Sequence, residues 1–432
     1  MNICVVGVGY VGLVTGTCFA EFGMDVTCVD KDQERIDALV SGHVPFYEPG
    51  LQELVTKNVN DGRLFFTADL SKAVADALII FIAVGTPADN QGKADLQYVR
   101  EVAAAIGQHI NGYKIIVNKS TVPVGTAELV KQIIKENQSH PYPFDVASNP
   151  EFLREGSAIE DFMRPNRVVI GTDSEQAKAV LKDLYRPLYL IEAPFVLTNV
   201  QTAEMIKYAS NAFLAMKISF INEMANLCEL LDVDVHEVAK GMGLDNRIGR
   251  KFLHPGPGFG GSCFPKDTLA LASLAEEKGY DFKLVNATIR VNEQQRRVMV
   301  DKIDHALNGL TGRTIGMLGL TFKPNTDDIR DSPPIYIIQG LLARGAKIQA
   351  YDPAGMEHAR RMLPEVKYCS NPYEAADQTD GLVIATEWNQ FRNIRWDRIK
   401  SLLKSPIVID LRNVCDPTQM REKGFIYVGV GR

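Results

Sequence analysis

The sequence predicts an α/β protein with two Rossmann-like, doubly wound domains, joined by a long central helix and a small helical dimerisation domain. Residues 1–30 follow the order strand, glycine-rich turn, helix, strand and aspartate. Residues 313–352 repeat this order. Between them, residues 195–240 contain neither proline nor glycine, which favours a long helix. Strands that alternate with helices are typical of a parallel sheet covered on both faces.

The first strand and helix carry a dinucleotide-binding fingerprint. An apolar run at residues 2–6 precedes the sequence GVGYVG at residues 7–12, and a helix is predicted to about Phe22. The glycines make a tight turn, admit a pyrophosphate and let helix and strand pack closely. The second strand ends in Asp30, which can bond both hydroxyls of an adenosine ribose and would repel a 2′-phosphate. We therefore predict NAD rather than NADP, with a Rossmann fold that binds no dinucleotide as the alternative.

Two further apolar strands are predicted at residues 77–84 and 114–118. Open α/β sheets bind ligands beyond the carboxyl ends of their strands. Thr86, Ser120 and Thr121 follow these ends, and we expect them to face the cofactor. Ordinary turn chemistry is the alternative. For Thr121, two adjacent hydroxyls at a strand end favour the functional role.

Residues 148–156 (SNPEFLREG) predict a short helix, which Asn149 caps and Gly156 ends. In such a helix Glu151 and Glu155, four residues apart, project from one face. A solvated surface turn would tolerate this pair of like charges. A site that needs acid–base chemistry explains it better.

Residues 200–231 predict a helix about 48 Å long at 1.5 Å per residue. Apolar residues lie on most of its sides, so we expect it to be buried within the chain or against a second subunit at the core of a homodimer. Glu204, Lys207 and Asn211 share one face of this helix. Among so many apolar neighbours Lys207 needs a partner. A lysine whose ammonium extends to the surface is the alternative.

A shorter helix is predicted at residues 233–240, and a loop rich in glycine and proline follows at 245–258. Loops of this length are usually functional. The loop leads to Cys263, which precedes a helix predicted at 268–278, with Pro265 suited to a first helical position. A helix N-terminus favours a thiolate, so Cys263 is a candidate nucleophile. A buried, inert thiol is the alternative.

The C-terminal third repeats the N-terminal order but replaces the glycine fingerprint with a basic loop. A strand at residues 313–320 precedes Lys323 and Arg330, and later strands are predicted at 381–386 and 406–410. Basic residues in this loop fit an anionic ligand such as a nucleotide diphosphate.

The composition is that of an ordinary globular protein. The chain has 432 residues, of which 46% are hydrophobic and 23% charged, and its net charge of −6 argues against broad nucleic-acid binding. Its seven cysteines show no CxxC pair or metal spacing, which favours a reducing cytoplasm and no metal site. We expect no signal peptide, and no apolar run is long enough for a membrane span.

Several segments together resemble the UDP-glucose 6-dehydrogenases of the nucleotide-sugar 6-dehydrogenase family. They span nearly the whole chain in order, and GFGGSCFPKD and NPEFLREG are the most specific. The segments are GVGYVG at 7–12, STVPVGT at 120–126, NPEFLREG at 149–156, the helix with Lys207 and Asn211, GFGGSCFPKD at 258–267 and GLTFKPNTDDIRDS at 319–332.

The resemblance implies a four-electron oxidation that consumes two NAD molecules. The C6 hydroxyl of UDP-glucose becomes an aldehyde, a cysteine thiohemiacetal and a thioester, which water hydrolyses to UDP-glucuronate. Carried over to this sequence, the roles are Cys263 as nucleophile, Asp267 ordering or activating water, Lys207 stabilising oxyanions with help from Asn211, Glu151 in acid–base chemistry at hydrolysis, and Thr121 positioning a water.

The resemblance also implies the binding residues. Those expected to contact NAD are Gly7, Gly9, Tyr10, Val11, Gly12, Asp30, Arg35, Thr86, Ser120, Thr121, Glu155, Lys266 and Arg330. Those expected to contact the nucleotide sugar are Glu151, Phe152, Leu153, Arg154, Glu155, Lys207, Asn211, Arg247 from a partner subunit, Phe252, Leu253, His254, Pro255, Gly256, Gly260, Lys323 and Arg412.

The expected domains are an NAD-binding Rossmann domain at residues 1–196, a central helical and dimerisation domain at 197–300, and a C-terminal Rossmann-like UDP-sugar-binding domain at 301–432. The expected partners are the substrate and a second copy of the chain, in a homodimer or larger homo-oligomer, without nucleic acid or membrane. One alternative is the same chemistry on another nucleotide sugar, such as GDP-mannose. Another is a non-catalytic NAD-binding protein.

Overall fold

The structure is a computed structural model that describes residues 1–89 and 92–432. The chain forms two compact units, Met1–Ser210 and Asn211–Arg432. The long helix α9 (Val200–Leu231) crosses the boundary between these units and has the predicted bounds. Within the described ranges, no helix combines the length and apolar character that crossing a bilayer would require.

The first unit contains an eight-stranded sheet in the order β3, β2, β1, β4, β5, β6, β7, β8. Neighbouring strands are parallel, except that β6 and β7 are antiparallel. The strands are β1 Asn2–Val6, β2 Asp25–Val29, β3 Leu64–Thr67, β4 Ile79–Ile82, β5 Lys114–Asn118, β6 Phe144–Ser148, β7 Val168–Gly171 and β8 Phe195–Thr198.

The helices of this unit follow the strands in the alternating order that the sequence predicts. β4 is wholly apolar, β5 (KIIVN) is apolar in its centre, and both are buried along their whole length, which is typical of central strands covered on both faces. The helices are α1 Tyr10–Glu21, α2 Gln33–Val40, α3 Leu51–Asn60, α4 Leu70–Asp76, α5 Gln97–His109, α6 Thr126–Asn137, α7 Ala158–Met163 and α8 Glu175–Leu184, with a 3₁₀ helix at Arg186–Ile191.

The second unit contains a six-stranded parallel sheet in the order β11, β10, β9, β12, β13, β14. Its strands are β9 Thr314–Leu318, β10 Lys347–Tyr351, β11 Lys367–Tyr368, β12 Gly381–Ile384, β13 Ile407–Asp410 and β14 Ile426–Val428. Its helices after α9 are α10 Val235–Gly243, α11 Phe264–Glu277, α12 Lys283–Leu307, α13 Pro333–Ala343, α14 Met356–Met362, α15 Pro372–Ala376, α16 Asn389–Arg392, α17 Trp396–Leu402 and α18 Pro417–Glu422.

The two units repeat one architecture, which confirms the predicted pair of doubly wound domains. Numbered within its own unit, each sheet begins with the order 3-2-1-4-5-6. Gly7 and Gly319 each follow a first strand with positive φ, +100° and +98°. Each glycine is followed by a residue whose amide donates to an aspartate at the end of the second strand, Asp30 in one unit and Asp352 in the other.

The two aspartates nevertheless differ in what surrounds them. The Asp30 side chain is 13% exposed at the edge of the first sheet. Asp352 is fully buried, and its carboxylate accepts hydrogen bonds from the amides of Leu320 and Thr321 and from the Trp388 indole. The carboxylate of Asp352 is therefore used to hold the second unit together.

The predicted helix between Asn149 and Gly156 is wrong, because residues 149–156 form an irregular loop after β6. The Asn149 side chain does not cap a helix. It lies in the core, where its amide group donates to the Val169 carbonyl at 2.7 Å. The Glu151 carboxylate accepts from the Leu153 amide, two residues on, at 2.5 Å. Contacts with distant strands therefore override the local helix signal.

Two helix boundaries also differ from the prediction. α10 begins and ends later than residues 233–240, because the Asp234 side chain caps it by accepting from the His236 amide. α11 begins before residue 268, at Phe264, which places Pro265 at the second helical position.

Candidate active site

The predicted fingerprint forms the turn between β1 and α1. A Cβ on Gly7 would lie 2.7 Å from the Ala83 carbonyl oxygen, and one on Gly12 would lie 1.8 Å from that of Gly7, so neither position accepts a side chain. A Cβ on Gly9 would meet open space. In the described part of the chain, no side chain caps α1, which begins at Tyr10 and contains Val11. The uncapped amides of its first turn can therefore bind a pyrophosphate.

Asp30 lies at the end of β2, beside this turn. Its carboxylate accepts from the amides of Val8 at 2.9 Å and Asp32 at 3.1 Å. The Arg35 guanidinium lies 3.5 Å from the same carboxylate. A fixed, partly exposed carboxylate at this position fits the ribose hydroxyls of a dinucleotide. The first unit therefore has the features that NAD binding requires.

Thr86, Ser120 and Thr121 lie together beyond the carboxyl ends of β4 and β5. The Thr86 hydroxyl donates to the Thr121 carbonyl at 2.8 Å, and the Ser120 hydroxyl donates to the Val84 carbonyl at 2.7 Å. Both hydroxyls are buried, whereas Thr121 is half-buried. The Thr86 and Ser120 hydroxyls thus stabilise the loops at this sheet edge by binding backbone carbonyls.

Lys207 on α9 forms an ion pair with Glu151 in the loop after β6. Their side chains are each 4% exposed, and the ammonium lies 2.9 Å from the carboxylate. The alternative of a lysine extending to the surface is therefore wrong. A buried cation beside a buried carboxylate can stabilise negative charge that develops on a substrate. Breaking such a pair from one side is costly, because a buried charge is left without its partner.

The other residues of this loop surround the pair. The Arg167 guanidinium stacks on the Phe152 ring at 3.4 Å, and the Lys207 ammonium lies 5.3 Å from the same ring. Arg154 is exposed and forms an ion pair with Asp161 at 2.6 Å. Leu153 and Glu155 are half-buried. The loop thus combines an aromatic face with charges of both signs.

Lys119 is a buried residue of this region that the sequence analysis missed. Its ammonium donates to the Asn149 amide oxygen at 3.1 Å and to the Tyr185 hydroxyl at 3.3 Å. Burial lowers the pKa of Lys119 to about 8, against the attraction of Glu151. A lysine directly after the strand KIIVN, whose centre is apolar, was the available signal, since buried lysines are rare without a partner.

Glu204 does not pair with Lys207, although both lie on the predicted face of α9. Its buried carboxylate accepts from the amides of Gly125 at 2.7 Å and Ala127 at 2.9 Å. It therefore caps α6 from another helix and fixes the loop that carries Thr121. Burial raises the pKa of Glu204 to about 7, although these amides oppose the shift.

Glu204 should make the stability of the protein depend on pH. The pKa of Glu204 is about 7 in the folded protein and near 4.5 ordinarily, so the folded state keeps a proton that the unfolded state releases. The free energy of unfolding should therefore fall as pH rises through this window, by roughly 3 kcal/mol at most. Glu204→Gln should flatten the decline in urea denaturation, whereas Glu136→Gln, which removes an exposed carboxylate on α6, should not. Equal pH slopes for wild type and Glu204→Gln would contradict this assignment.

In the second unit, Cys263 is the N-cap residue of α11, immediately before the helix as the sequence predicts. It is half-buried, and the Ser262 hydroxyl oxygen lies 3.6 Å from its sulfur. The positive end of the helix dipole favours a thiolate there. The position of Cys263 before a helix and its partial exposure therefore suit a nucleophile.

Asp267 lies on the first turn of α11 and is 1% exposed. Its carboxylate accepts from the Asn211 side chain at 2.6 Å and from the Lys266 ammonium at 2.7 Å. The structure thus brings together Asn211 and Asp267 as a hydrogen-bonded pair. Lys266, expected at the cofactor, here pairs with its neighbour.

The loop before Cys263 is held by side chains of α12. Asn292 bonds both the amide and the carbonyl of Phe259, at 2.8 and 3.0 Å. Gln295 donates to the Gly256 carbonyl at 2.9 Å. A Cβ on Gly260 would lie 2.3 Å from the Asp331 carbonyl oxygen, so this glycine allows close packing against protein backbone. The loop is therefore rigidly supported.

The remaining residues predicted to hold the nucleotide sugar differ in exposure. Leu253 and Pro255 are buried, Phe252 is half-buried with φ of +65°, and His254 is exposed. Arg247 is 90% exposed and pairs with Asp245 at 2.6 Å. An exposed arginine is available to a partner molecule.

The basic residues after β9 and β13 lie at the carboxyl ends of the second sheet. Arg412 donates to the Phe322 carbonyl at 2.6 Å and pairs with Glu387 at 3.0 Å. The Lys323 ammonium lies 5.3 Å from the Phe322 ring. Arg330 pairs with Asp328 at 2.8 Å, and its side chain is 63% exposed. This edge is where an open α/β sheet binds anionic ligands.

Three family models match the chain, all of the UDP-glucose/GDP-mannose dehydrogenase family. They describe its NAD binding domain at residues 1–189, its central domain at 201–294 and its UDP binding domain at 316–417. Matches to curated proteins include the UDP-glucose 6-dehydrogenase of Rhizobium meliloti, 52% identical with 100% of both chains covered. Another is UDP-glucose 6-dehydrogenase TuaD of Bacillus subtilis, also 52% identical, with 100% of this chain and 93% of that protein covered.

Solved structures show the same similarity. A UDP-glucose dehydrogenase from Pyrobaculum islandicum has a TM-score of 0.93 and 42% identity, with 100% of this chain and 97% of that chain covered. A UDP-D-ManNAc dehydrogenase from Pyrococcus horikoshii has a TM-score of 0.88 and 28% identity, with 100% and 99% covered.

Proposed function

Because the chain belongs to the UDP-glucose/GDP-mannose dehydrogenase family, we propose that it oxidises UDP-glucose to UDP-glucuronate with NAD. The observation that carries this proposal is that one chain supplies a dinucleotide fingerprint at Gly7–Gly12 and a thiol at the N-cap of α11. Oxidation of an alcohol to an acid needs an electron acceptor, and a thiol that binds the aldehyde covalently supplies a substrate for the second oxidation. Its full-length relatives are named for this substrate.

The first unit is proposed to hold NAD, which supplies the two-electron acceptor for each of two oxidation steps. The amides at the start of α1 bind its pyrophosphate, and Asp30 accepts from its ribose hydroxyls. Arg35 lies 3.5 Å from the Asp30 carboxylate, and Thr86 follows β4, the strand that pairs with β1. We also propose that NAD contacts Glu155, Lys266 and Arg330.

Cys263 is proposed to carry the substrate between the two oxidations. The first oxidation removes two electrons and two protons from the C6 alcohol and gives an aldehyde. The thiolate then adds to the carbonyl carbon, and the oxygen takes up a proton to give a thiohemiacetal. The second oxidation gives a thioester. Water cleaves its C–S bond, which releases the carboxylate and restores the thiol.

Charged and polar side chains of both units are proposed to assist these steps. Lys207 stabilises negative charge on the C6 oxygen with help from Asn211, since a fixed buried cation is effective there. Asp267 orders or activates the attacking water. Glu151 exchanges protons during hydrolysis, and Thr121 positions a water.

The nucleotide sugar is proposed to bind through two groups of residues. Phe252–Gly256, with Gly260, Lys323 and Arg412, would hold the uridine diphosphate through backbone groups and positive charge. Phe152–Glu155 would contact the sugar. Arg247 would reach this ligand from a partner subunit, and its exposure supports that role.

A homodimer is proposed through α9, whose surface supports it. Phe213, Phe220 and Leu227 recur every seven residues on α9 and are 58%, 46% and 47% exposed. Large exposed apolar side chains in a row are typical of an interface. A cytoplasmic location is also proposed, since none of the seven described cysteines forms a disulfide.

The domain boundaries 1–196, 197–300 and 301–432 remain our proposal. The end of β8 at Thr198 and the end of α12 at Leu307 lie close to the two internal boundaries.

The proposed activity is tested by supplying purified protein and NAD⁺ with UDP-glucose, GDP-mannose and UDP-N-acetylmannosamine in parallel. We expect UDP-glucose to be used in preference, with two NADH formed for each UDP-glucuronate. Turnover of either other sugar nucleotide without turnover of UDP-glucose would refute the substrate. No turnover with any of them would refute the reaction.

Cofactor choice gives a further prediction. Because Asp30 would repel a 2′-phosphate, kcat/KM with NAD⁺ should exceed that with NADP⁺, and Asp30→Ser should reduce this preference by about 10–100-fold. The control is Glu34→Gln, which removes an exposed carboxylate on α2. Comparable kcat/KM values for both cofactors in the wild type would contradict the assignment.

A further inference from the structure

Glu48 is a buried glutamate in the connection between α2 and α3. It is 6% exposed. One carboxylate oxygen accepts from the Ala158 amide at 2.7 Å. The other accepts from the Gly156 amide at 2.5 Å and from the Tyr10 hydroxyl in a short hydrogen bond. A single carboxylate therefore joins three donors.

These donors belong to two functional loops. Tyr10 is the first residue of α1 and lies within the dinucleotide fingerprint. Gly156 and Ala158 end the loop that carries Phe152 to Glu155 and lead into α7. The Gly156 amide also lies 3.1 Å from the Tyr10 hydroxyl oxygen. The proposed cofactor loop and sugar loop thus meet at Glu48.

The contact depends on both loops being in place. Removing a donor from a buried carboxylate destabilises the folded protein, because no water replaces the lost hydrogen bond. Burial and the hydrogen bond to Glu48 raise the pKa of Tyr10, so its hydroxyl stays protonated and able to donate. Displacing either loop therefore weakens the hydrogen bonds that hold the other.

We propose that Glu48 is a positioning residue that couples cofactor binding to nucleotide-sugar binding. A ligand that orders one loop places its donors on the carboxylate and thereby favours the bound geometry of the other loop. Such coupling is reciprocal, so each ligand should tighten the binding of the other by the same factor. This inference rests on the proposed function, because it assigns the two loops to those ligands.

The test measures NADH affinity by fluorescence with and without saturating UDP-glucose. In the wild type we expect UDP-glucose to tighten NADH binding by about 5–150-fold, the usual range for coupled sites. In Glu48→Gln the side-chain NH₂ group faces amide donors, so this factor should fall towards one. Affinity for NADH alone should change by less than about threefold. In steady-state assays at saturating NAD⁺, KM for UDP-glucose should be higher for Glu48→Gln than for the wild type.

A second variant and a control separate coupling from damage to the fold. Tyr10→Phe removes one donor and should lose part of the coupling, and adding it to Glu48→Gln should cause no further loss. Glu53→Gln, which removes an exposed carboxylate on α3, should keep the wild-type factor. If Glu48→Gln is too unstable to purify, the Tyr10→Phe result decides.

Two outcomes overturn the inference: a wild-type factor of one, or full coupling in the Glu48 and Tyr10 variants. An active wild type with uncoupled binding would leave the proposed function intact and refute only the role of Glu48. A wild type that forms no NADH from UDP-glucose would instead refute the proposed function.

Discussion

Cys263→Ala is expected to abolish formation of UDP-glucuronate, with overall turnover reduced by at least about 10³-fold. The variant lacks the only group proposed to hold the aldehyde covalently, so the second oxidation has no substrate. Any residual activity should form one NADH per aldehyde released, instead of two per acid. Product analysis by chromatography, together with NADH absorbance, measures this stoichiometry.

The matched control for this variant is Cys415→Ala. Cys415 is also half-buried and lies in the second unit, whereas the other cysteines apart from Cys263 are buried. It should keep two NADH per turnover. Two NADH per UDP-glucuronate from Cys263→Ala would show that oxidation does not pass through a thioester on this residue.

Lys207→Met is expected to damage both stability and catalysis. It removes the partner of Glu151, whose side chain is only 4% exposed. Breaking a buried ion pair from one side costs about 3–5 kcal/mol in free energy of unfolding. Loss of a fixed cation at the reacting oxygen should lower kcat by about 10²–10³-fold. Urea denaturation and steady-state kinetics measure the two effects.

The double variant Lys207→Met/Glu151→Gln separates these effects. It removes both charges, so it should recover much of the stability while remaining inactive. Lys240→Met is the control, because Lys240 forms an exposed pair with Glu237 that contributes about 0–1 kcal/mol. A double variant no more stable than Lys207→Met would contradict the assigned ion pair.

The sequence predicts the features that depend on short stretches of chain. The turn at residues 7–12, the aspartates after the second strands and the N-cap position of Cys263 each follow from local patterns. The repeat of the two domains was predictable because the same succession of strand, helix, strand and aspartate occurs twice along the chain. Local chemistry determines these features, and the structure confirms them.

The missing features depend on contacts between distant residues. Glu151 and Lys207 are 56 positions apart, so the sequence shows that Lys207 needs a partner but not which one. The loop around Asn149 departs from its predicted helix because Lys119 and Val169 bind the asparagine side chain. Glu48 had no local signal, since its donors come from two other segments. Tertiary hydrogen bonds decide all three cases.

The matched aspartates of the two sheets should tolerate substitution very differently. In a library of variants at Asp30, most changes should yield folded protein whose preference between cofactors varies, because this carboxylate is partly exposed. At Asp352, most changes should eliminate folded protein, because the buried amides and indole that it accepts from would lose their partner. Deep mutational scanning would therefore record one topological position as a site of selectivity and its counterpart as a site of stability.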